Sequence, residues 1–347
     1  MAEDLRPLSE RVSAPVDLPL PEHPDVAEWR PATDADIDGI WRLRQAMGRL
    51  DHPNFLTARE AIAADFGYSH FHSDVDSLVG IDAGGRIVAN GVVLLPPRQE
   101  TLVRSIAIGG VHPELRGRGI GRQLLAWQLG RATQQLASSA KKLPGWILLY
   151  ADERAPQNAR LFEHAGLHLS RHFLTLERDL GEPVRSVQPA VGIRLAAFTP
   201  DVSAAVHAAR DDAFMDHWGG QPMSDENWAA FVGSRWFRPD LSFVAFATGA
   251  DGTEQVVGFV LSTANEDVWA TQGFTGSYID MVGVRSGWRG KHIAQALLAA
   301  QLDAGRALGH ERVTLAVDSA SATGALGLYT GMGFRPVHRK LAFTLEF

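Results

Sequence analysis

One short loop occurs twice in this chain, each time after an apolar run and before a helix-like apolar pattern. The first copy spans residues 111–121 and the second spans residues 284–294. A turn of small and basic residues between a strand and a helix leaves the first main-chain N–H groups of the helix without partners. Together with the helix dipole, these groups attract a phosphate. The sequence therefore predicts a duplicated unit that binds a phosphorylated ligand.

Other features repeat in the same order as the loop. Arg30 in the first half corresponds to Arg194, and the Asp-His pair at 51–52 corresponds to the pair at 216–217. Repetition of many features in one order is typical of a duplicated domain. A stretch with two prolines at 181–191 is typical of a linker. We predict an irregular leader at 1–25, a first domain at 26–180, a linker at 181–191 and a second domain at 192–347.

The pattern within each half predicts a mixed sheet with helices. In the second half, runs with strand character occur at 242–247, 256–262, 277–284, 312–317 and 339–347. Helical periodicity covers 293 to about 307 and 325 to about 330. The expected fold class is therefore α/β of the α+β type. It consists of two tandem domains, each a mixed, mostly antiparallel twisted sheet flanked by helices.

Composition limits the class of protein and its compartment. The chain of 347 residues has no cysteine, which excludes disulfides, thiol catalysis and cysteine–zinc sites. Its formal net charge of −7 does not suit nucleic acid, which needs a basic surface. No apolar run of about 18 residues indicates a membrane span, and the N-terminus lacks the apolar core of a signal peptide. We expect a cytoplasmic monomer or homodimer without nucleic-acid, membrane or metal partners.

The loops do not fit the dinucleotide or Walker patterns, but they resemble the pyrophosphate loop of the GNAT acetyltransferase superfamily. That loop reads Arg/Gln-x-x-Gly-x-Gly/Ala. The first copy fits fully as Arg116-Gly117-Arg118-Gly119-Ile120-Gly121. The second copy, Arg289-Gly290-Lys291-His292-Ile293-Ala294, has His292 in place of the inner glycine. The resemblance implies an α/β fold and the use of an acyl-CoA.

The resemblance covers about residues 26–180 and 192–347. Late in the second half, Leu328-Tyr329-x-x-Met332-Gly333-Phe334 matches the family's Leu-Tyr-x-x-x-Gly-Phe, and residues 161–167 form a weaker copy. The tandem arrangement is similar to the mycothiol synthase-like branch of the superfamily.

The resemblance implies that acetyl-CoA is the cosubstrate and that both loops hold its pyrophosphate. In the first half the implied cofactor-binding residues are Val111, Arg116, Gly117, Arg118, Gly119, Ile120 and Gly121. In the second half they are Val282, Gly283, Val284, Arg289, Gly290, Lys291, His292, Ile293 and Ala294. The main-chain N–H of Val282 or a neighbour would bind the thioester oxygen if the strands splay there. The side chain of His292 crowds the pyrophosphate, which the main chain still binds.

The resemblance also implies two catalytic side chains in the second half. A tyrosine on the late helix gives a proton to the departing thiolate. Tyr329 has this place, whereas the first half has Phe162. A carboxylate four residues before the strand-end valine serves as the base, usually through water. Asp280 has that place, whereas the same count in the first half reaches Ala107. The second half is therefore the predicted catalytic half, and the first is predicted to be degenerate.

Aromatic and acidic residues of the second half predict the acceptor site. The candidates are Asp216, His217, Trp218 and Trp269, because aromatic faces beside carboxylates suit a cationic amine. Core packing of the tryptophans and solvation of the acids are the favoured interpretation of the same residues. The leading prediction is an acetyl-CoA-dependent N-acetyltransferase acting on the primary amine of a small molecule. Three alternatives stay open: a protein or peptide acetyltransferase, a non-catalytic CoA-binding or sensor protein, and catalysis in the first half.

Overall fold

The computed structural model describes residues 5–52, 56–184, 186–249, 252–321 and 323–347. The chain forms two compact units. The first unit ends at Ser170 and also contains Leu341–Phe347, and the second unit is Arg171–Lys340. The predicted linker at 181–191, of which Arg185 lies outside the described residues, falls within the second unit.

The first unit contains five complete strands and six helices in the part of the chain that is described. The helices are α1 (Leu8–Arg11), α2 (Ile37–Asp51), α3 (Arg59–Gly67), α4 (Ser73–Asp76), α5 (Ile120–Ala137) and α6 (Pro156–His164). The strands are β1 (Glu28–Arg30), β2 (Ser77–Ile81), β3 (Ile87–Leu94), β4 (Val103–Val111) and β5 (Gly145–Asp152). Neighbours in this order pair antiparallel, except β4 and β5, which are parallel. Gly145 of β5 exchanges main-chain hydrogen bonds of 3.0 and 2.8 Å with Phe347.

The second unit repeats this plan. Its strands are most of β6 (His168–Asp179), β7 (Ile193–Ala197), β8 (Phe243–Thr248), β9 (Glu254–Thr263), β10 (Gly276–Val284), β11 (Arg312–Asp318) and the start of β12 (Arg335–Glu346). Its helices are α7 (Ser203–Phe214), α8 (Asp225–Val232), α9 (Trp269–Gln272), α10 (Ile293–Ala307) and α11 (Ala325–Gly331). The strands pair in the order β7-β8-β9-β10-β11-β6, and only the β10–β11 pair is parallel. Both units thus have the mixed, mostly antiparallel sheet with flanking helices, and the predicted fold class is confirmed.

The helix after each duplicated loop is fixed to the sheet by its apolar stripe. In the second unit, Leu297, Leu298 and Leu302 of α10 are fully buried against Leu315 of β11 and its neighbours. In the first unit, α5 packs against the sheet in the same way. Burying each leucine side chain contributes roughly 1.5–3 kcal/mol. This packing holds the N-terminus of each helix at the end of the strand that precedes its loop.

Candidate active site

Two neighbouring strands of the second unit separate after a short parallel ladder. β10 and β11 pair from Gly276 opposite Arg312 to Ile279 opposite Leu315. Beyond these residues, β10 continues to Val284 and β11 to Asp318 without further pairs. We call this opening the second fork. Binding of a thioester oxygen by the main-chain N–H of Val282 requires β10 and β11 to splay, and they do.

A β-bulge lies at the point where the second fork opens. On the other side of β10, Ile279 is opposite Ser262 and Met281 is opposite Leu261, so Asp280 is an extra residue. The bulge exchanges the faces of the strand. Ile279 packs in the cluster of α10, whereas Met281 packs in the cluster of α7. A single inserted residue thus places a carboxylate at the opening of the fork.

The first unit has the fork without the bulge. There β4 pairs with β5 from residue 103 to residue 106, and its register on β3 is continuous from residue 106 to residue 111. A buried serine–glutamine hydrogen bond fixes the equivalence of the two strands. The hydroxyl of Ser105 donates to Oε1 of Gln135 at 2.7 Å, and the hydroxyl of Ser277 accepts from Nε2 of Gln301 at 3.1 Å.

From these serines, Ile106 corresponds to Tyr278, Ala107 to Ile279 and Ile108 to Met281. Asp280 therefore has no counterpart in the first unit. Its alignment with Ala107, made by counting back from the strand-end valine, is wrong because the bulge inserts one residue.

Asp280 lies in an environment that suits a base near neutral pH. Its side chain is exposed to solvent, yet protein surrounds it closely enough that lost hydration raises its pKa to about 7. Hydrogen bonds from the hydroxyl and the main chain of Thr263 oppose this rise. The carboxylate is consequently held in place from β9 and still opens into the fork.

Tyr329 lies on α11 and is buried, with its ring edge against Phe334 at a centroid distance of 5.9 Å. Burial raises its pKa to about 12, so the hydroxyl keeps its proton at neutral pH. Arg178 of β6 holds the end of α11 through a 3.0 Å bond from Nε to the carbonyl of Met332. In the first unit, Phe162 packs edge-on against Phe343 at 5.5 Å and offers no hydroxyl.

Tyr278 is a further polar residue of the second fork that the sequence analysis missed. Its hydroxyl accepts a hydrogen bond from the main-chain N–H of Ala316, just beyond the last pair of the ladder. Burial, then the neighbouring Asp280, raise its pKa, and Tyr329 adds to the effect. The sequence carried no signal for it, because its place beside Asp280 depends on the bulge and on the cross-strand register.

The two pyrophosphate loops share one backbone conformation. Gly117 and Gly290 have φ of 79° and 78°, and the helix caps Gly119 and His292 also have positive φ. His292 adopts φ of 57°, a region that is uncommon for residues other than glycine. Within the described residues, the main-chain N–H groups of 117–121 and 290–294 have no hydrogen-bond acceptor. Both loops can therefore bind an anion such as a pyrophosphate.

An ion pair joins the predicted acceptor residue Asp216 to the loop. Its carboxylate lies 2.8 Å from Nη1 of Arg289, and Asp51 pairs in the same way with Arg116 at 2.8 and 2.7 Å. Asp216 is thus engaged in the duplicated support of the loop. The ring of His217 lies tilted against that of Phe214, with centroids 4.4 Å apart. Burial, and then the charge of Arg289, lower the pKa of His217.

The two predicted tryptophans lie in different places. Trp218 packs against Phe173 at 6.2 Å and below Arg171, whose Nε is 3.6 Å from Asp318 at the end of β11. Trp269 donates from Nε1 to the carbonyl of Gly276 at 3.0 Å. Gly276 precedes Asp280 by four residues, roughly 13 Å of strand. Trp218 therefore lies at the open end of β11, and Trp269 lies at the paired start of β10.

The predicted leader is ordered along α5 in its described part. Leu8 is fully buried, and the carbonyl of Glu22 accepts a 2.7 Å bond from Gln123. At the first loop, His23 bonds the carbonyl of Arg118 at 2.9 Å, and Asp25 lies 3.3 Å from the Arg118 guanidinium. The positive charge of Arg118, one of the implied cofactor-binding residues, is therefore partly compensated by the leader.

Two kinds of feature are absent from the part of the chain that is described. No helix there has the length and apolarity needed to cross a bilayer. The same residues contain no group of three or more His, Asp or Glu side chains placed to hold a metal ion.

Known proteins share this architecture. The family model described as acetyltransferase (GNAT) family matches residues 204–334, within the second unit. The chain is 30% identical to a mycothiol acetyltransferase of Thermobispora bispora over 225 residues, covering 65% of this chain and 70% of that protein. The chain belongs to the GNAT acetyltransferase family. It is accordingly an acetyltransferase, and GNAT enzymes use acetyl-CoA.

Three further similarities extend over nearly the whole chain. A mycothiol acetyltransferase of Clavibacter sepedonicus is 27% identical over 91% of this chain and 94% of its own length. A crystal structure of a GCN5-related N-acetyltransferase from Sphaerobacter thermophilus has a TM-score of 0.69 and 25% identity, covering 92% of this chain and 95% of that one. A tandem GNAT protein from the clavulanic acid biosynthesis pathway, with a TM-score of 0.63 and 18% identity, shares the fold. The predicted family and tandem GNAT fold are thus confirmed.

Proposed function

We propose that this enzyme transfers the acetyl group of acetyl-CoA to the primary amine of a small molecule, and that the reaction occurs in the second fork. The observation that carries the proposal is the bulge at Asp280, which the first unit lacks. Tyr329 also points to the second unit, because the corresponding residue of the first unit, Phe162, has no hydroxyl. In this proposal the first unit keeps an intact loop but does not catalyse acetyl transfer.

Binding of the cosubstrate begins at the loop. The free N–H groups of residues 290–294 fit the pyrophosphate, and Lys291 adds a positive charge from its position 4.2 Å from the ring centre of Trp288. His292 enters from the cap position without removing these main-chain donors. Arg289 is held by Asp216 and so keeps the loop in shape.

The chemical step requires a neutral amine, and Asp280 supplies the base. An acid with a pKa of about 7 is half ionised at neutral pH and still basic enough to accept a proton, directly or through water. The amine nitrogen then attacks the thioester carbon, a C–N bond forms, and the C–S bond breaks as the tetrahedral intermediate collapses. The amine proton ends on Asp280, and the sulfur leaves as a thiolate.

Tyr329 acts on the departing sulfur. A free thiol has a pKa of about 8.5, well below the value of about 12 for Tyr329, so complete proton transfer from the phenol is uphill. A hydrogen bond from the phenol to the developing thiolate is favourable, because it appears where charge develops. We therefore assign Tyr329 the role of thiolate stabiliser, with the proton reaching sulfur as the product leaves.

The acceptor is proposed from the relatives and from the polarity of the fork. The relatives carry the name mycothiol acetyltransferase, so that reaction is the first to test for this chain. The carboxylate of Asp280, in its ionised form, gives the fork a negative charge that attracts an ammonium before it is deprotonated.

The test is a panel of small primary amines, peptide N-termini and lysine peptides, with acetyl-CoA and a readout of released thiol. We expect release with a small amine and a loss of at least about tenfold in Asp280→Asn. Asp303→Asn, at an exposed carboxylate of α10 in the same unit, is the control and should leave turnover in place. Release only with peptides, binding of CoA without turnover on the whole panel, or full activity in Asp280→Asn would contradict the proposal.

A further inference from the structure

Three polar side chains lie together on one face of the second sheet. Tyr278 and Thr263 are directly opposite each other on β10 and β9, and Thr263 binds Asp280. Residues opposite each other in a ladder share a face, and successive pairs alternate between the two faces. The pair Ile279–Ser262 comes next and has Ile279 on the α10 side, and the following pair, Met281–Leu261, packs against α7. The three polar groups therefore face the α7 side of the fork.

The hydroxyl of Tyr278 accepts one hydrogen bond, and its own O–H is available to donate another. It accepts from the N–H of Ala316, which fixes the ring at the mouth of the fork. Within the described residues no acceptor receives its own proton. A phenol that is held by an accepted bond presents its O–H in a defined direction. This O–H is therefore available to donate a hydrogen bond to a ligand in the fork.

The fold itself does not need a hydroxyl at this place. The first fork opens within one residue of the same register, with Ile106 where the second unit has Tyr278 and with Leu94 opposite it. The tyrosine of the first fork, Tyr150, comes from the other arm, at the place of Ala316. Tyr278 beside Asp280 is thus a feature of the second fork alone.

We infer that Tyr278 is a specificity-determining residue whose hydroxyl donates a hydrogen bond to an oxygen atom close to the acceptor's amine. Its position two residues before Asp280 places the donor next to the atom that is deprotonated. The acceptor class is accordingly an amine with a neighbouring hydroxyl or carbonyl oxygen, preferred over a plain alkylamine. This inference rests on the proposed function of the second fork.

The experiment compares 2-aminoethanol with propylamine, which differ by a hydroxyl in place of a methyl group. If wild type acetylates neither, the pair becomes the best amine of the panel and its analogue with CH2 in place of the neighbouring oxygen. Wild type should prefer the oxygen-bearing amine in kcat/KM. In Tyr278→Phe this preference should shrink by up to about tenfold, the worth of one hydrogen bond. Tyr329→Phe is the control, because a group acting on sulfur should slow both amines equally.

The possible outcomes distinguish a failure of the Tyr278 assignment from a failure of the proposed function. A preference that disappears in Tyr278→Phe supports the inference. Equal preference in wild type, or a parallel loss for both amines in Tyr278→Phe, overturns it and leaves Tyr278 with a structural bond to Ala316. Absence of turnover with every amine in wild type contradicts the proposed function itself.

Discussion

At the scale of single residues, the inserted Asp280 sets the expected pH dependence. Its pKa of about 7 means that the base form predominates only above that pH. We expect kcat/KM to rise from about pH 6 to about pH 8 with a midpoint near 7. Asp280→Asn should remove this inflection and leave only that of the amine. A midpoint near 4 in wild type would show that Asp280 is an ordinary solvated carboxylate.

Thr263 provides a test of that pKa. Its hydrogen bonds favour the ionised form of Asp280 and hold the pKa down. Thr263→Val removes the hydroxyl at nearly constant volume, so the midpoint of the pH–rate profile should move upward. Ser262→Ala is the matched control, because Ser262 is the neighbouring residue and lies opposite Ile279 on the other face. An unmoved midpoint in Thr263→Val would remove Thr263 from the site.

Tyr329→Phe copies the state of the first unit at Phe162. It keeps the ring and its packing on Phe334 and removes one hydroxyl. A hydrogen bond to a charged group is worth about 1.5–3 kcal/mol, so kcat should fall by roughly 10- to 100-fold. Binding of CoA and the unfolding midpoint should change little. Unchanged kcat would withdraw the main reason for preferring the second unit on sequence grounds.

The site could be predicted from the sequence only in part. Tyr329 and Asp280 were located by pattern, and their surroundings support the proposed roles, which stay predictions. The alignment of Asp280 with Ala107 was wrong because counting residues back from the strand-end valine does not reveal a bulge. Tyr278 and Thr263 were missed because their meaning depends on cross-strand register, which comes from tertiary packing.

At the scale of elements, the two loops offer a matched pair. Gly117 and Gly290 have nearly equal positive φ, and a Cβ at either would meet open space. Alanine at either place should therefore cost about 1 kcal/mol of stability through backbone strain alone. Only Gly290→Ala should raise the KM for acetyl-CoA, because only the second unit turns over in the proposed mechanism. A larger kinetic effect from Gly117→Ala would reverse the assignment of the two units.

Local pattern was sufficient for most elements. The helix predicted from residue 293 to about 307 is α10, and the strands predicted at 277–284 and 312–317 are β10 and β11 within one residue. Their apolar periods are strong because each packs one face on the core. The pattern could not predict which unit β6 and β12 join. The residue patterns of the two strands are similar, so each strand is compatible with either sheet.

At the scale of the whole molecule, the two units do not coincide with the two halves of the sequence. The segment 171–180, at the end of the first half, belongs to the second unit and pairs with β11 from Phe173 to Asp179. Leu341–Phe347, at the end of the second half, belongs to the first unit. A cut at the predicted linker would therefore remove a strand from each unit.

This exchange makes the last residues of the chain essential to a distant core. Phe343 is 1% exposed, packs on Phe162, and lies in the same core cluster as Leu136 and Ile147. Phe343→Ala should destabilise the first unit by about 3–5 kcal/mol through the cavity it leaves. Val337 lies on the same strand, but it is 45% exposed and belongs to the second unit, so Val337→Ala should cost less than about 0.5 kcal/mol.

Urea unfolding followed by hydrogen exchange separates these effects. In Phe343→Ala, protection should be lost first in β5 and α6, while α10 stays protected. A chain ending at Lys340 should show the same loss more strongly, because it also lacks the main-chain bonds between Gly145 and Phe347. If that shortened chain unfolds at the urea concentration of the full chain, the strand at 341–347 does not support the first unit. The two sequence halves would then be separable at the linker after all.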